Sequence, residues 1–438
     1  MDTTPASPLA RFRGELYQTA LAMRRDALFE TLDAVLSGAG ATSLVRHSLT
    51  PGCQRGWASL CDALSDGRLD VAALRRLFVQ TLPPPGAGER PLWVIDGTLW
   101  PRPAAKSSPE RTLGRFVTGG TPQSGIMAGW EYQWLVAIPE ASGSWGLPLE
   151  VARRAPGAGT ATILAIAQLQ AVSPLHPVDA PRPVLLLDSH YDVAALVRSA
   201  LGVDLLARLR SNRRFYRHPG PYSGTGAPRK HGPVFRCADP TTHGTPDQTQ
   251  CYDDPTHGLV TIDLWERLHS QPAPTLELSV LRVTVARLPR RDKPPAPLWL
   301  VWHGAERPSD LRALFRWYQR RFAVEHLFRF LKHDLGWTRI RPRAPQSADR
   351  WSWLLAAGLW QLWLARPAVA AWRLPWERAQ QPLSPGRVRR GLGGLFGTMG
   401  TPARPPQPRG KAPGRPPGQC PGPAPRFPVQ RRAPPKPA

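Results

Sequence analysis

Short, almost continuous apolar segments recur after residue 91, and they constrain the fold more than any other feature of the chain. LWVIDGT (92–98), VLLLDS (184–189) and LWLVWHG (298–304) have the length of a buried strand and are too short for a buried helix. TATILAIAQLQAV (160–172), between the first two, has the composition of a helix. Alternation of buried strands with helices is typical of a mixed sheet with helices on its faces. The sequence therefore predicts an α/β fold.

Further segments extend this pattern. WEYQWLVAI (from Trp130) and GLPLEVA (from Gly146) read as a hairpin, VDLLARLRSN (203–212) as another strand, and LELSVLRVTVARL (276–288) alternates as a half-buried strand does. We expect one long helix over 308–333 and another over 349–365. The most apolar stretch, 351–365, is shorter than the ~20 residues that span a bilayer, and it reads as a buried helix.

Composition shifts divide the chain into four predicted regions. Residues 1–85 form a helical N-terminal module, which the Pro- and Gly-rich segment 83–91 ends. A catalytic domain covers 90–212 and 297–366, interrupted by a β-rich insertion over 213–296. The stretch 374–438, which has no acidic residue after Glu377 and is rich in Pro, Arg and Gly, is expected to be a disordered basic tail.

Charge points to a polyanionic partner. Lys and Arg number 57 against 32 Asp and Glu, a formal net charge of +25. Nucleic acid fits best, although a ribosome or an anionic membrane would also attract such a chain. The five cysteines are scattered without a CxxC pair, and the N-terminus lacks the apolar run of a secretory signal. These features predict a cytoplasmic protein with reduced thiols.

Two aspartates stand at strand ends. Asp96 ends the first apolar strand and Asp188 ends another. In α/β sheets ligands bind beyond the ends of the strands, so the two carboxylates could converge on one cation. The alternative is that each only caps a turn or the next helix. Ser189 and Asp192 fit capping better than catalysis.

A third feature lies in YQRRFAVEHLFRFLK. Tyr318, Arg321, Glu325 and Lys332 follow one another at spacings of three, four and seven residues, which places them on one face of a continuous helix. Mg²⁺ prefers oxygen ligands, which Glu325 could add to the two aspartates, and the cationic groups could neutralise phosphates. The alternative is a solvated basic helix with an incidental ion pair.

The pattern Y-x2-R-x3-E-x6-K resembles the signature helix of bacterial insertion-sequence DDE transposases of the cut-and-paste type. With the two aspartates, the resemblance covers about residues 90–365 and implies an RNase H-like catalytic domain. Looser likenesses to bacterial transposases lie in GRLDVAALR, WPRP, KSSPER, HLFRFLKHDLGWTR and ADRWSW.

This resemblance implies a metal-dependent transposase with catalytic, metal-binding residues Asp96, Asp188 and Glu325. Two Mg²⁺ ions, replaceable by Mn²⁺, would activate water or a DNA 3′-hydroxyl and stabilise the leaving oxygen. Tyr318, Arg321 and Lys332 would bind the phosphate next to the cleaved position. The implied partners are double-stranded DNA, both as terminal inverted repeats and as target, and a second copy of the chain in a synaptic homodimer. The implied location is the bacterial cytoplasm, where the protein is nucleoid-associated when it is bound to DNA. No membrane partner is implied.

Basic segments mark further predicted DNA contacts. RLRSNRRFYRH (208–218) and GAPRKHG (226–232) interleave cations with aromatic rings, as nucleic-acid surfaces do. Their predicted DNA-binding residues are Arg210, Arg213, Arg214, Arg229 and Lys230; the alternative is a solvated loop. RTLGRF and RIRPR (339–343) add charge, and PRGKAPGRPP (408–417) is similar to minor-groove motifs.

Several aromatic and histidine residues keep two interpretations. Trp265 or Phe235 could stack on a flipped nucleotide, although a core role fits either better. His326 and His333 could approach the site or lie on the helix surface.

Two other functions also compete with transposition. One is an RNase H-like nuclease that cuts DNA without joining it. The other is a catalytically idle DNA-binding relic of a transposase.

Overall fold

The structure is a computed structural model that describes residues 7–430 except 39, 87, 117–124, 223, 225, 290–294, 307–309, 373–375, 377–381, 408–415, 417, 419 and 421. Its α-helices are α1 (Pro8–Glu15), α2 (Arg25–Ser37), α3 (Leu44–His47), α4 (Trp57–Asp66), α5 (Val71–Gln80), α6 (Ala161–Val172), α7 (Val193–Arg198), α8 (Leu311–Arg320), α9 (Ala323–Arg329), α10 (Pro345–Ala370) and α11 (Pro385–Met399). Its strands are β1 (Leu92–Pro101), β2 (Thr112–Phe116), β3 (Gly125–Ile138), β4 (Leu147–Arg153), β5 (Val184–Leu187), β6 (Asp204–Leu209), β7 (Arg214–Tyr216), β8 (Val234–Arg236), β9 (Gln248–Asp254), β10 (Gly258–Ser270), β11 (Ala273–Val285) and β12 (Leu298–His303).

The chain folds into two compact units. Unit 1 comprises Met1–Pro83, Gly97–Thr160 and Ala323–Ala438, and unit 2 comprises Pro84–Asp96 and Ala161–Phe322. Strand β1 thus begins in unit 2 and ends in unit 1. The domain boundaries drawn from composition remain a prediction.

Unit 2 carries a large mixed sheet. The first half of β1, β5 and β6 are parallel, and β12, β11 and β10 continue the sheet in antiparallel order. Strands β9 and β7 pair with β10, and β7 pairs with β8. All four residues of β5 are fully buried, because a parallel strand is covered on both faces. Helices α7 and α8 contact the sheet, and the expected mixed α/β architecture is confirmed.

Unit 1 packs antiparallel strands against helices. Strand β3 pairs with β2 and β4, and α5 and α10 contact β4. The core contains a cluster of tryptophans around Trp337, and α10 is buried along most of its length, as expected for 351–365. Asp70 is the N-cap of α5, since its carboxylate accepts a hydrogen bond from the Ala73 N–H at 2.9 Å. No helix of the described residues is long and apolar enough to cross a membrane.

The tail corrects one expectation. Disorder over 374–438 is wrong for 385–399, where α11 packs against α10 and α2. Val388, Leu392 and Leu395 recur at helical spacing and are buried, so this short segment does cover enough apolar surface to be ordered. The minor-groove motif at 408–417 lies, except for Pro416, outside the described residues.

The single long helix expected over 308–333 is also wrong. Helix α8 ends at Arg320, α9 begins at Ala323, and Phe330–Asp334 forms a π-helical turn. At the break, the N–H groups of Arg321 and Phe322 donate to carbonyls three residues earlier, which tightens the backbone. The four signature residues therefore do not share one face of a continuous α-helix.

A buried histidine in unit 1 leads to a prediction about stability. His47 ends α3 and is 1% exposed, and burial lowers its pKa to about 4 from an ordinary value of 6.5. The folded state therefore resists protonation at a pH where the unfolded chain takes up a proton. This contribution to stability is complete above about pH 6.5 and is lost as the pH falls towards 4.

We expect acidification from about pH 7.5 to about pH 5 to remove about 2 kcal/mol of unfolding free energy through this group. Urea unfolding at the two pH values measures the loss. His47→Phe should show a correspondingly smaller decrease, whereas the exposed control His333→Phe should retain the full decrease. Equal decreases in both variants would contradict the assignment to His47.

Candidate active site

The parallel register of unit 2 places two carboxylates side by side. Strand β1 pairs with β5 so that Leu92 lies opposite Val184 and Val94 opposite Leu186. Continuing this register puts Asp96 level with Asp188, one residue beyond the end of β5. Residues at the same level of neighbouring parallel strands point to the same face and lie about 5 Å apart. The two carboxylates therefore lie level with each other at the carboxyl end of β5. The expectation that Asp96 also ends its strand is wrong, because β1 continues to Pro101.

Asp188 is held as an anion by its surroundings. Burial acts to raise its pKa, but the N–H of Ser189, the Arg321 guanidinium and His190 together bring the pKa below its ordinary value. His190 Nδ1 lies 3.2 Å from Asp188 Oδ2. The other oxygen, Oδ1, is buried and has no hydrogen-bond partner. A buried carboxylate oxygen without a donor is open to a cation.

Arg321 compensates the charge of both aspartates. Its Nη1 donates to Asp96 Oδ2 at 3.0 Å, and Asp96 and Asp188 both act to raise the pKa of the guanidinium against the effect of burial. Tyr318 lies in the same environment: burial raises the pKa of its hydroxyl, Asp188 acts in the same direction, and Arg321 and Arg208 oppose it. Within unit 2, Arg321 thus contacts Asp96, and both Arg321 and Tyr318 interact electrostatically with Asp188.

The other two signature residues lie in unit 1. Lys332, on the π-helical turn, donates from Nζ to Thr98 Oγ1 at 2.6 Å. Thr98 follows Asp96 by two residues on β1. Glu325 is exposed on α9 and follows Arg321 by four residues in the chain. Its role as a third carboxylate remains a prediction.

The donor set of unit 2 fits a divalent cation in part. Two level carboxylates, one with an unpartnered oxygen, are the ligands that hard cations prefer. Among the described residues, however, no group of three or more His, Cys, Asp or Glu side chains is assembled to hold a metal. The pair formed by Asp96 and Asp188 is therefore the part of the ligand set that the fold accounts for.

The DNA-binding cations predicted in the segments 208–218 and 226–232 of unit 2 are all exposed. They are Arg210, Arg213, Arg214, Arg229 and Lys230. Phe235 and Trp265 are buried, with ring centroids 5.2 Å apart, which confirms a core role for both and leaves neither for stacking on DNA. In unit 1, His326 is partly exposed and His333 is exposed.

Sequence reasoning missed three neighbours of the site. His190 contacts Asp188, Thr98 accepts from Lys332, and Arg208 acts on Tyr318. Proximity to the aspartates in LLLDSHYD and VIDGT could have indicated the first two. Arg208 lies in the basic segment 208–218, but nothing in the sequence linked it to Tyr318. Asp192 caps α7 through Ala195 N–H, as expected.

A family model described as DDE superfamily endonuclease matches residues 15–265, which is more than half of the chain. The chain belongs to the DDE superfamily endonuclease family. No curated protein matches it. The matched segment contains Asp96 and Asp188 and ends before Glu325.

Membership in the DDE superfamily endonucleases accounts for the architecture and the class of activity. The mixed sheet flanked by helices is consistent with an RNase H-like DDE domain. The family supports a nuclease or transposase type of activity and implies a DNA substrate. Endonucleases of this superfamily typically use divalent metal ions, which agrees with the paired carboxylates of unit 2.

Proposed function

We propose that this DDE endonuclease is a transposase, which cuts DNA at the ends of an insertion sequence and joins those ends to target DNA. The observation that carries the proposal is the pair Asp96 and Asp188. The two residues lie level on adjacent parallel strands, and the positive charge of Arg321 interacts with both carboxylates. A pair of carboxylates level on adjacent strands suits phosphodiester chemistry, because it can hold the cations that phosphoryl transfer requires.

Asp96, Asp188 and Glu325 are the proposed ligands of two Mg²⁺ ions, for which Mn²⁺ can substitute. When bound, such ions lower the pKa of a nucleophilic water or 3′-hydroxyl and offset the charge of the leaving oxygen. The chain's own contribution is to keep the carboxylates ionised: Ser189 N–H, Arg321 and His190 keep the pKa of Asp188 low at neutral pH. Only the signature pattern supports Glu325 as a ligand.

The remaining signature residues are proposed to bind the phosphate beside the cleaved bond. Arg321 contacts Asp96, and a guanidinium carries five N–H donors that can bind phosphate through two parallel hydrogen bonds. Tyr318 offers a protonated hydroxyl as a donor, because its pKa is raised. Lys332 would act as a point charge from the turn that follows α9.

The proposed partners are the element's terminal inverted repeats and the target duplex. The exposed cations of 208–230 in unit 2 would contact phosphates, and the N-terminal helical module would bind the element ends. Cutting paired ends requires two copies, so a homodimer is the proposed synaptic form. We place the reaction in the bacterial cytoplasm, with the protein nucleoid-associated on DNA.

A plasmid that carries the gene with its flanking DNA tests this function. Incubated with the protein, Mg²⁺ and a second target plasmid, it should give excised fragments and also covalent joints between those fragments and the target. Fragments without joints would identify a nuclease and contradict transposition. Binding without fragments would identify a relic. Wild type without metal is the matched control and should give neither product.

A further inference from the structure

A basic surface in unit 1 lies outside the carboxylate site. Arg339, Arg341 and Arg343 are exposed, while Ile340 between them is 4% exposed and fixes the segment in the core. All three arginines line the same groove at the surface of unit 1. We call these three arginines the RIRPR surface.

The RIRPR surface carries charge that the protein does not compensate. Within the part of the chain that the structure describes, none of its three arginines forms an ion pair. Behind it, the 8%-exposed Arg102 donates to the carbonyl of Pro342 at 2.6 Å, and its Nε is without a partner. Burial first, then Arg341 and Arg111, lower the pKa of Arg102, so like charges are concentrated here.

The same arginines border a groove. It has a volume of ≈ 860 Å³, with Leu44, Val45 and Leu64 on its apolar side. Of the described residues that line it, none is acidic. Grooves with walls of one charge sign focus the electrostatic field and concentrate ligands of the opposite sign.

We propose that the RIRPR surface binds the phosphate backbone of duplex DNA, as a contact separate from the metal site. The inference rests on the proposed function only in taking DNA as the ligand. Duplex phosphates fit better than splayed bases, because no aromatic side chain lines the described groove to stack on a base. The contact positions the DNA and reads no sequence, since guanidinium–phosphate pairs carry none.

The test measures binding of the full chain to a random-sequence duplex without divalent metal, from about 50 to about 200 mM salt. The variant combines Arg339→Ala, Arg341→Ala and Arg343→Ala. We expect affinity to fall at least about tenfold at the higher salt, and the slope of log K against log salt to become shallower by about 2 to 3, since each phosphate contact contributes ~0.9.

A matched control removes the same charge elsewhere through Arg198→Ala, Arg390→Ala and Arg426→Ala, three exposed arginines. It should change the slope of log K against log salt by less than about 0.9, the contribution of one phosphate contact. Replacing the RIRPR arginines by lysine should restore most of the slope, and circular dichroism checks that each variant folds.

Equal losses in the two alanine triples, or an unchanged slope in the RIRPR triple, would overturn the inference. Loss of self-association with DNA binding intact would identify the surface as a protein interface and would also overturn it. Failure of the wild type to bind any duplex would instead remove the proposed function itself, so the two failures are distinguishable.

Discussion

Asp188→Asn is expected to reduce DNA cleavage at least about 10³-fold while the protein remains folded and still binds DNA. The amide keeps the volume of the carboxylate but removes the negative charge and one cation-binding oxygen. The site also changes electrostatically, since Asp188 and Asp96 both act on Arg321, and the loss of one leaves the guanidinium with a single carboxylate. Rates of plasmid nicking with Mg²⁺ or Mn²⁺ measure the effect.

Asp192→Asn is the control for this experiment. Asp192 lies four residues further on and caps α7 through the Ala195 N–H at 3.1 Å, and asparagine caps about as well as aspartate. We therefore expect nearly wild-type cleavage. Wild-type nicking by Asp188→Asn, or equal losses in both variants, would show that Asp188 does not act in the reaction.

Trp337→Ala should destabilise the protein by about 3–5 kcal/mol, the largest structural effect that we predict. The side chain is fully buried in unit 1, with ring centroids 5.4 Å from Trp100, 5.4 Å from Tyr132 and 5.7 Å from Trp134. Its Nε1 donates to Ser352 Oγ at 2.8 Å. Truncation would therefore leave a large cavity and a hydroxyl that has lost its donor. Urea unfolding followed by circular dichroism measures the change.

The matched control is Trp57→Ala. Trp57 is 56% exposed at the start of α4, and surface substitutions usually change stability by less than about 0.5 kcal/mol. A loss below about 1 kcal/mol for Trp337→Ala would mean that the tryptophan cluster does not form the core of unit 1.

The sequence predicted the strands that carry the aspartates but not how they pair. Strands such as β5 are short apolar runs between polar residues, and this local pattern is readable without a structure. That Asp96 lies level with Asp188 depends on the register of β1 against β5, which joins residues far apart in the chain. Local periodicity carries no information about that register.

The break after α8 shows why the helix prediction failed. Phe315, Tyr318 and Phe322 follow one another at spacings of three and four residues, so the sequence reads as one helix across 321–322, although Phe322 is 51% exposed in the structure. The turn accompanies a tertiary contact, the ion pair of Arg321 with Asp96, which no local pattern reports. Strand β2 was missed for a different reason. The segment RTLGRF is short and contains two arginines, so it shows little of the alternation of apolar and polar residues that indicates a strand.

The tail was misjudged for the opposite reason. Its average composition is that of a disordered segment, and this average concealed the periodic Val388, Leu392 and Leu395 of α11. Arg389 strengthens the packing, since its guanidinium donates to the carbonyls of Val35 and Gly38 in the N-terminal helical region. These two carbonyls lie more than three hundred residues away in the chain, so no local pattern could indicate the contact.

If Asp96, Asp188 and Glu325 hold the same metal ions, Fe²⁺ bound in their place should cleave the polypeptide beside all three residues. Fe²⁺ in place of Mg²⁺, with ascorbate and peroxide, generates radicals that cut the backbone beside its ligands. We predict fragments ending near residues 96, 188 and 325, all suppressed by excess Mg²⁺. If Mg²⁺ suppresses cuts near residues 96 and 188 but no cut forms near 325, Glu325 is not a ligand. Cuts at other positions only would contradict a metal site at Asp96 and Asp188.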